Sequence, residues 1–270
     1  MTITQLAFIG GGNIAQAIVG GLVESGYDRG AITISDPSPV QGAKAEAMGV
    51  NWSQNNAAAI NVSDLVFICV KPNLVETVCR EATEQLASKT LISVAAGITT
   101  QQLIKWSGSS EIVRCMPNTP ALVSQGMTGL FATATVAMTT RDSVGELLST
   151  IGKVAWFDAE SDLDAVTAIS GSGPAYFFYL MEAMVEAAES FNINREVAQT
   201  LVLQTALGAA TMAQNHDSAP KALRAQVTSP GGTTEAACQL LEAAGLSDTI
   251  QAACKAALDR SISLSNDQSA

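Results

Sequence analysis

Short apolar runs alternate with longer helical stretches through the first half of the chain. Leu6-Ala7-Phe8-Ile9 is a strand-length run ending in three glycines, and an Ala/Val/Ile-rich helical stretch follows over residues 14–25, closed by Gly26. The alternation then repeats. Residues 31–35 read as a strand, 44–48 as part of a helix, 65–70 as a strand, 74–86 as a helix, and 90–95 and 112–116 as further strands. Continuous apolar runs such as Leu65-Val66-Phe67-Ile68-Cys69-Val70 suit strands buried on both faces. Strand and helix in repeated order predict a parallel sheet with helices on both faces.

From Asp162 onward the strand signal fades. Alanine-rich stretches over residues 174–191, 195–215, 234–244 and 247–263 take over. Alanine is the strongest helix former, and Gly, Pro or Asn stand at the breaks. The expected class is α/β: a doubly wound parallel sheet over residues 1–160, then an all-α domain over residues 161–270, with no long linker between. The polar residues 266–270 are expected to fray.

Composition adds exclusions. Charged residues make up 14% of the 270 and hydrophobic ones 47%. So few charges, against about a quarter in ordinary domains, point to apolar surface covered in a subunit interface. A net charge of −11 provides no basic footprint for nucleic acid or an anionic membrane. The most apolar stretch of the second half, residues 176–188, is interrupted by Glu182 and Glu186, so no membrane span is expected. No basic segment leads into the first strand, and no signal peptide is expected. Five scattered cysteines without a CxxC pair read as free thiols in a reducing cytoplasm. The single histidine, His216, lies in a polar loop, and no Cys/His cluster suggests a metal.

Gly10-Gly11-Gly12-Asn13-Ile14-Ala15 fits G-x-G-x-x-A between a strand and a helix, the context a dinucleotide fingerprint requires. Gly10 allows the tight turn, Gly12 lets backbone approach a pyrophosphate, and Ala15 permits close helix packing. The helix start adds unpaired N–H groups and partial positive charge. A glycine-rich turn in another α/β fold is the plainer alternative. Asp36 ends the second strand, 24 positions after Gly12, near the usual place of the acid that accepts a ribose 2′-hydroxyl. It would repel a 2′-phosphate, although Ser35, Ser38 and Lys44 could soften this, so NADH and NADPH both stay open. Val70-Lys71-Pro72, Ala95-Ala96-Gly97 and Met116-Pro117-Asn118-Thr119-Pro120 follow later strands, at the edge where open sheets bind ligands.

Two segments stand out in the helical half. Ser170-Gly171-Ser172-Gly173-Pro174-Ala175-Tyr176 leads small residues into a proline at a helix start. Val227-Thr228-Ser229-Pro230-Gly231-Gly232-Thr233-Thr234 opens another helix with several N–H groups and hydroxyls. Such a loop can hold a carboxylate; it can equally be an N-cap after a Pro-Gly turn.

Together with Phe8-Ile9-Gly10-Gly11-Gly12-Asn13-Ile14, these motifs resemble, in order and spacing, the pyrroline-5-carboxylate reductases. The resemblance spans nearly the whole chain, and the 228–234 segment is its most specific part. It implies a Rossmann domain followed by a helical dimerisation domain that interlocks with a second chain, dimers often forming a decamer. It also implies a site between one chain's Rossmann domain and the dimer's helices. The implied reaction reduces 1-pyrroline-5-carboxylate, a small imino acid, to proline with NAD(P)H. Carried over by motif, Ser229, Gly231, Gly232 and Thr233 hold the substrate carboxylate. Thr234 bonds the ring nitrogen as the catalytic group, and Glu160 aligns with an acid near the substrate. Gly10, Gly11, Gly12, Asn13, Ile14, Ser35, Asp36, Asn56, Val70, Lys71, Pro72, Val94, Ala95 and Ala96 are the implied cofactor residues. Asp36 departs from the Ser or Asn common in NADPH-preferring members, so some NADH use is expected.

Two rivals remain. A β-hydroxyacid-dehydrogenase-like oxidoreductase shares the layout but needs a lysine in the helical domain, and none lies between Lys153 and Lys221. A non-catalytic dinucleotide-binding protein would keep the glycine loop without needing the 228–234 segment.

Overall fold

Burial on both faces decides where the apolar runs go. In the computed structural model, which describes residues 4–267, eight strands form one sheet in the order β3-β2-β1-β4-β5-β6-β7-β8. In chain order the elements are β1 (Leu6–Ile9), α1 (Asn13–Glu24), β2 (Ile32–Ser35), α2 (Pro39–Met48), β3 (Asn51–Ser53), α3 (Asn56–Asn61), β4 (Leu65–Ile68), α4 (Pro72–Glu81), α5 (Thr83–Leu86), β5 (Thr90–Ser93) and α6 (Thr100–Ser107). Then come β6 (Ile112–Met116), β7 (Gly126–Ala132), α7 (Met138–Ser149), β8 (Gly152–Trp156) and α8 (Asp162–Val166). Every residue of β1, β4 and β5 is buried. Side chains alternate across the sheet. Phe8 and Phe67 stack at 4.4 Å beneath Ile18 and Leu22 of α1 on one face, while Ile9 and Val66 meet Val75 and Leu103 on the other.

The parallel sheet with helices on both faces is present, with one reversal. β7 runs antiparallel to β6, pairing Met116 with Gly129. Residues 117–125 join them, and a parallel crossover needs about a dozen residues or more. β3, β7 and β8 escaped the reading by pattern. Glycine weakens a strand signal, yet in β7 it makes room: a Cβ on Gly129 would stand 2.7 Å from Val166. The helix expected over residues 74–86 breaks into α4 and α5 at Ala82, whose φ is −120°.

The described residues fall into two units, 4–172 with 257–267, and Gly173–Ala256. The second unit begins with α9 (Gly173–Ser190) and α10 (Arg195–Asn215), continues through α11 (Pro220–Gln226) and α12 (Thr233–Ala243), and includes the first part of α13 (Leu246–Asp267). Just before α9, residues Thr167–Gly171 form a π-helical turn. Of the tail expected to fray, Asn266 and Asp267 continue α13, and residues 268–270 lie outside the described residues. Among the described residues, no helix is long and apolar enough to cross a membrane.

Candidate active site

The chain moves from β1 through β2 to β3 on one side, then restarts at β4 and runs the other way. The carboxyl ends of β1 and β4 therefore frame a topological switch point, where such sheets take their ligands. Gly10 sits there with φ +98°, its N–H donating to the Ser35 carbonyl at 2.8 Å. A Cβ on Gly10 would meet the Cys69 carbonyl oxygen at 2.8 Å and Val70 Cγ1 at 3.0 Å. Glycine is thus required by packing as well as by dihedral. Gly12 differs: its position for a Cβ faces open space. It is the N-cap of α1, no side chain caps that helix, and no acid stands in its first turn. An open approach to uncapped donors at a helix start fits a pyrophosphate.

The other expected cofactor residues gather along the same edge. Asn13 and Ile14 open α1. Ser35 is buried at the end of β2, and its hydroxyl donates to Asn56 Oδ1 at 2.7 Å. Asp36 is already engaged: Oδ2 accepts the Gly11 N–H and Oδ1 the Ser38 N–H, each at 2.8 Å. Trp52 holds the backbone there, its indole N–H donating to the Asp36 carbonyl at 3.0 Å. The indole lies so close to α2 that a Cβ on Gly42 would come within 2.5 Å of it. After β4, Lys71 is exposed and Pro72 takes the first turn of α4. After β5, the Val94 N–H donates to the Ile68 carbonyl at 3.2 Å, and Ala95 and Ala96 lead into Gly97 at φ +76°. Cys69 is half-buried at this edge, and desolvation pushes its thiol up to about 12, so it stays protonated at neutral pH and supplies no nucleophile.

Braces around this edge escaped the sequence reading. Gln16 Nε2 donates to the Gly11 carbonyl at 2.7 Å and to Gln41 Oε1 at 2.6 Å, tying the glycine loop to α2. Asn118, in the Met-Pro-Asn-Thr-Pro loop, donates to the Ser170 carbonyl at 3.0 Å and accepts the Met127 N–H at 2.9 Å. Glu160 was expected beside the substrate. Both of its carboxylate oxygens are instead engaged by Thr100 and Arg114. The signal for this brace was available: Arg114 is the one charge in a strand of otherwise apolar residues, and a cation there demands a partner.

In the second unit, the 228–234 segment forms a tight turn before α12. The Gly232 N–H donates to the Ser229 carbonyl at 3.0 Å, and Gly231, at φ +71°, gives its N–H to Glu235 Oε2 at 2.7 Å. The Thr228 hydroxyl donates to the Arg224 carbonyl at 2.6 Å. Gly232 is the N-cap, and no side chain caps the helix. The loop has therefore committed the two glycine amides internally. Its first-turn amides, on the exposed Thr233 and Thr234, are left without a side-chain cap.

Sheet, switch point and uncapped glycine loop define a dinucleotide-binding Rossmann protein with a helical second unit. Residues 160–264 match the family described as Pyrroline-5-carboxylate reductase dimerisation, and residues 5–97 match NADP oxidoreductase coenzyme F420-dependent. The pyrroline-5-carboxylate reductase of Pseudomonas aeruginosa is 45% identical over 98% of both chains. Among solved structures, a pyrroline-5-carboxylate reductase from Coxiella burnetii superposes with a TM-score of 0.94 at 40% identity, covering 98% of this chain and 99% of that one. The Plasmodium falciparum pyrroline carboxylate reductase with NADP bound gives 0.86 at 29% identity over 98% and 99%. The chain belongs to the pyrroline-5-carboxylate reductase family.

Proposed function

We propose that this protein reduces 1-pyrroline-5-carboxylate to L-proline, the last step of proline synthesis, with NADPH as the principal cofactor. One observation carries the reading. In a chain of this family, two helices start behind a glycine N-cap with no side-chain cap, α1 at the open Gly12 and α12 at Gly232 after the Ser229–Gly232 turn. Each suits one anion, a pyrophosphate at the first and a small carboxylate at the second.

Gly10 to Ile14 take the pyrophosphate, Ser35, Asp36 and Asn56 the adenosine ribose, and Val70–Pro72 with Val94–Ala96 the nicotinamide side. The nicotinamide, when bound, supplies the hydride. The protein's part is placement, and orientation alone contributes about 7–11 kcal/mol in well-aligned reactions. Thr233 and Thr234 amides, supported by Ser229, Gly231 and Gly232, hold the substrate carboxylate, and the Thr234 hydroxyl orients the ring nitrogen. A threonine hydroxyl is too weak an acid to protonate that nitrogen, so the proton arrives with the substrate or from water. Because Asp36 is an acceptor, NADH also serves.

The working form is a homo-oligomer in which helical units interlock as a dimer, with dimers assembling into a decamer. The exposed apolar residues of α9 support this, Phe177, Phe178, Tyr179 and Leu180 being at least half exposed. The five unpaired cysteines suit a cytoplasmic setting.

The test follows absorbance of the reduced nicotinamide with purified protein and the imine, in parallel with NADPH and NADH. Imine-dependent oxidation is expected with both. A folded protein that binds the cofactors and oxidises neither would be the non-catalytic alternative. The β-hydroxyacid-dehydrogenase-like alternative predicts oxidation of a hydroxy acid instead.

A further inference from the structure

Arg114 is 9% exposed in the middle of β6. Its guanidinium lies 2.7 Å from Glu160 Oε1. The same oxygen accepts the Thr100 backbone N–H at 2.7 Å, and Oε2 accepts the Thr100 hydroxyl at 2.6 Å. Three donors from two elements converge on one carboxylate. Thr100 is the first residue of α6, directly after the segment that leaves β5 on the nicotinamide side. At that helix start Thr99 and Gln102 form a reciprocal capping box, which satisfies two of the orphan donors. Glu160 satisfies the Thr100 donor from outside the helix, and its negative charge complements the helix N-terminus. The segment is pinned at its other end by the Val94 bond to Ile68. Between the two pins it turns through Gly97.

We propose that Glu160 is a positioning residue: acting through Thr100 and braced by Arg114, it clamps the 94–99 segment in the shape that holds the nicotinamide, and it makes no contact with the substrate. This rests on the reading of residues 94–96 as the nicotinamide contact. It replaces a substrate-binding acid by a scaffold for the cofactor's reactive end. The chemistry of the clamp gives a clean discriminator. A glutamine fits it: one amide oxygen accepts Thr100 N–H and Arg114, and the amide NH2 donates to the Thr100 hydroxyl, which can rotate to accept. A carboxylate that acted on substrate through its charge would not survive that replacement.

The experiment compares Glu160→Gln, Glu160→Ala and Thr100→Ala in the full-length assembled protein. Affinity is measured for NADPH and for 2′-phospho-ADP-ribose, which lacks the nicotinamide, both without imine; kcat and imine KM are measured separately. Glu160→Ala is expected to weaken NADPH about fivefold and to leave 2′-phospho-ADP-ribose unchanged. It should lower kcat about tenfold with imine KM within about twofold. Glu160→Gln should stay within about threefold of wild type throughout. Thr100→Ala, which keeps the backbone N–H, should move the same quantities in the same direction by about two- to threefold, and it carries the test should Glu160→Ala not fold. Glu160→Gln as damaging as Glu160→Ala, with a raised imine KM, would overturn the proposal in favour of a substrate acid. So would variants that lose thermal stability but keep both affinities and kcat. The two nucleotide affinities are read without imine, so failure of the clamp is separable from failure of the proposed reaction.

Discussion

The two units treat their apolar residues in opposite ways. In the sheet unit the apolar runs are consumed internally, and Phe8, Phe67, Ile9, Ile68 and Leu91 are each no more than 1% exposed. In the helical unit the core found among the described residues is Val185, Ala198 and Val202, while Phe177, Phe178, Tyr179 and Leu180 are 64%, 62%, 74% and 56% exposed. Four consecutive residues on a helix cover its whole circumference, so the 177–180 turn of α9 is apolar all round. A helix of that kind belongs in an interior, and in one copy of this chain the helical unit does not provide one. Sheet and helix bundle thus teach different things about autonomy: the first carries its own core, and the second leaves much of its apolar surface uncovered.

The sharpest break of that comparison is a charge on α9. Phe178→Glu changes a side chain that is 62% exposed in a single chain, so a working monomer would tolerate it. With α9 buried between copies, an unpaired carboxylate costs several kcal/mol. We expect loss of assembly in light scattering after size exclusion and a fall in imine reduction of about a hundredfold or more. NADPH binding by the sheet unit should persist within a few fold. A fully active variant of unchanged mass would remove the case for a shared helical interior. Next in size is Thr234→Ala. Losing a hydrogen bond to a charged ring nitrogen costs about 2 kcal/mol, near thirtyfold in kcat/KM, with NADPH affinity unchanged. A loss of less than about threefold would take the ring nitrogen away from Thr234.

The same contrast explains what the sequence makes legible. β1, β4 and β5 are buried on both faces, so their apolar runs announce them. β3 reads Asn-Trp-Ser and β7 carries Gly126 and Gly129, and neither leaves a periodic mark. The antiparallel turn of β7 follows from loop length, which a pattern of hydrophobicity does not contain. Helices α9, α10, α12 and α13 were readable because alanine propensity is local. The turns at the strand ends were readable for a similar reason: glycines and prolines mark backbone geometry where they stand. Braces were not. The Gln16–Gln41 and Asn118–Ser170 bonds and the Glu160 clamp join residues far apart in sequence, and only the lone Arg114 in an apolar strand hinted at one.

Within the sheet unit, two glycines two positions apart in one motif separate packing from ligand approach. Gly10→Ala places a Cβ 2.8 Å from the Cys69 carbonyl at φ +98°. Such strain costs about 1–3 kcal/mol, a fall in melting temperature of roughly 3–10 °C for a chain of this size, and it disturbs the loop proposed to bind cofactor. Gly12→Ala points its Cβ into open space at φ −68°. Its melting temperature should stay within about 1 °C, yet NADPH affinity should fall about tenfold because the methyl meets the pyrophosphate. Equal melting losses in the two variants would mean that Gly12 is a packing glycine like Gly10.

The smallest expected effect tests how the sheet unit ranks its two cofactors. Asp36 gives one oxygen to the Gly11 amide and the other to the Ser38 amide, so its charge helps to shape the glycine loop itself. A 2′-phosphate brought to this end of β2 meets that charge, whereas a 2′-hydroxyl can donate to it. Asp36→Ser removes the repulsion and keeps a short acceptor. NADPH efficiency relative to NADH should rise about fivefold, near 1 kcal/mol, the scale of a partly solvated charge contact. The direction of the separate constants matters more than the ratio. Relief of repulsion lowers the NADPH KM, whereas loss of the loop's support raises both KM values together. Because Asp36 holds the Gly11 amide of the loop as well as the Ser38 amide, we expect a mixture: NADH weakened by about threefold and NADPH slightly improved. If both weaken equally and the ratio does not move, Asp36 serves the glycine loop alone, and cofactor preference is set elsewhere along the edge.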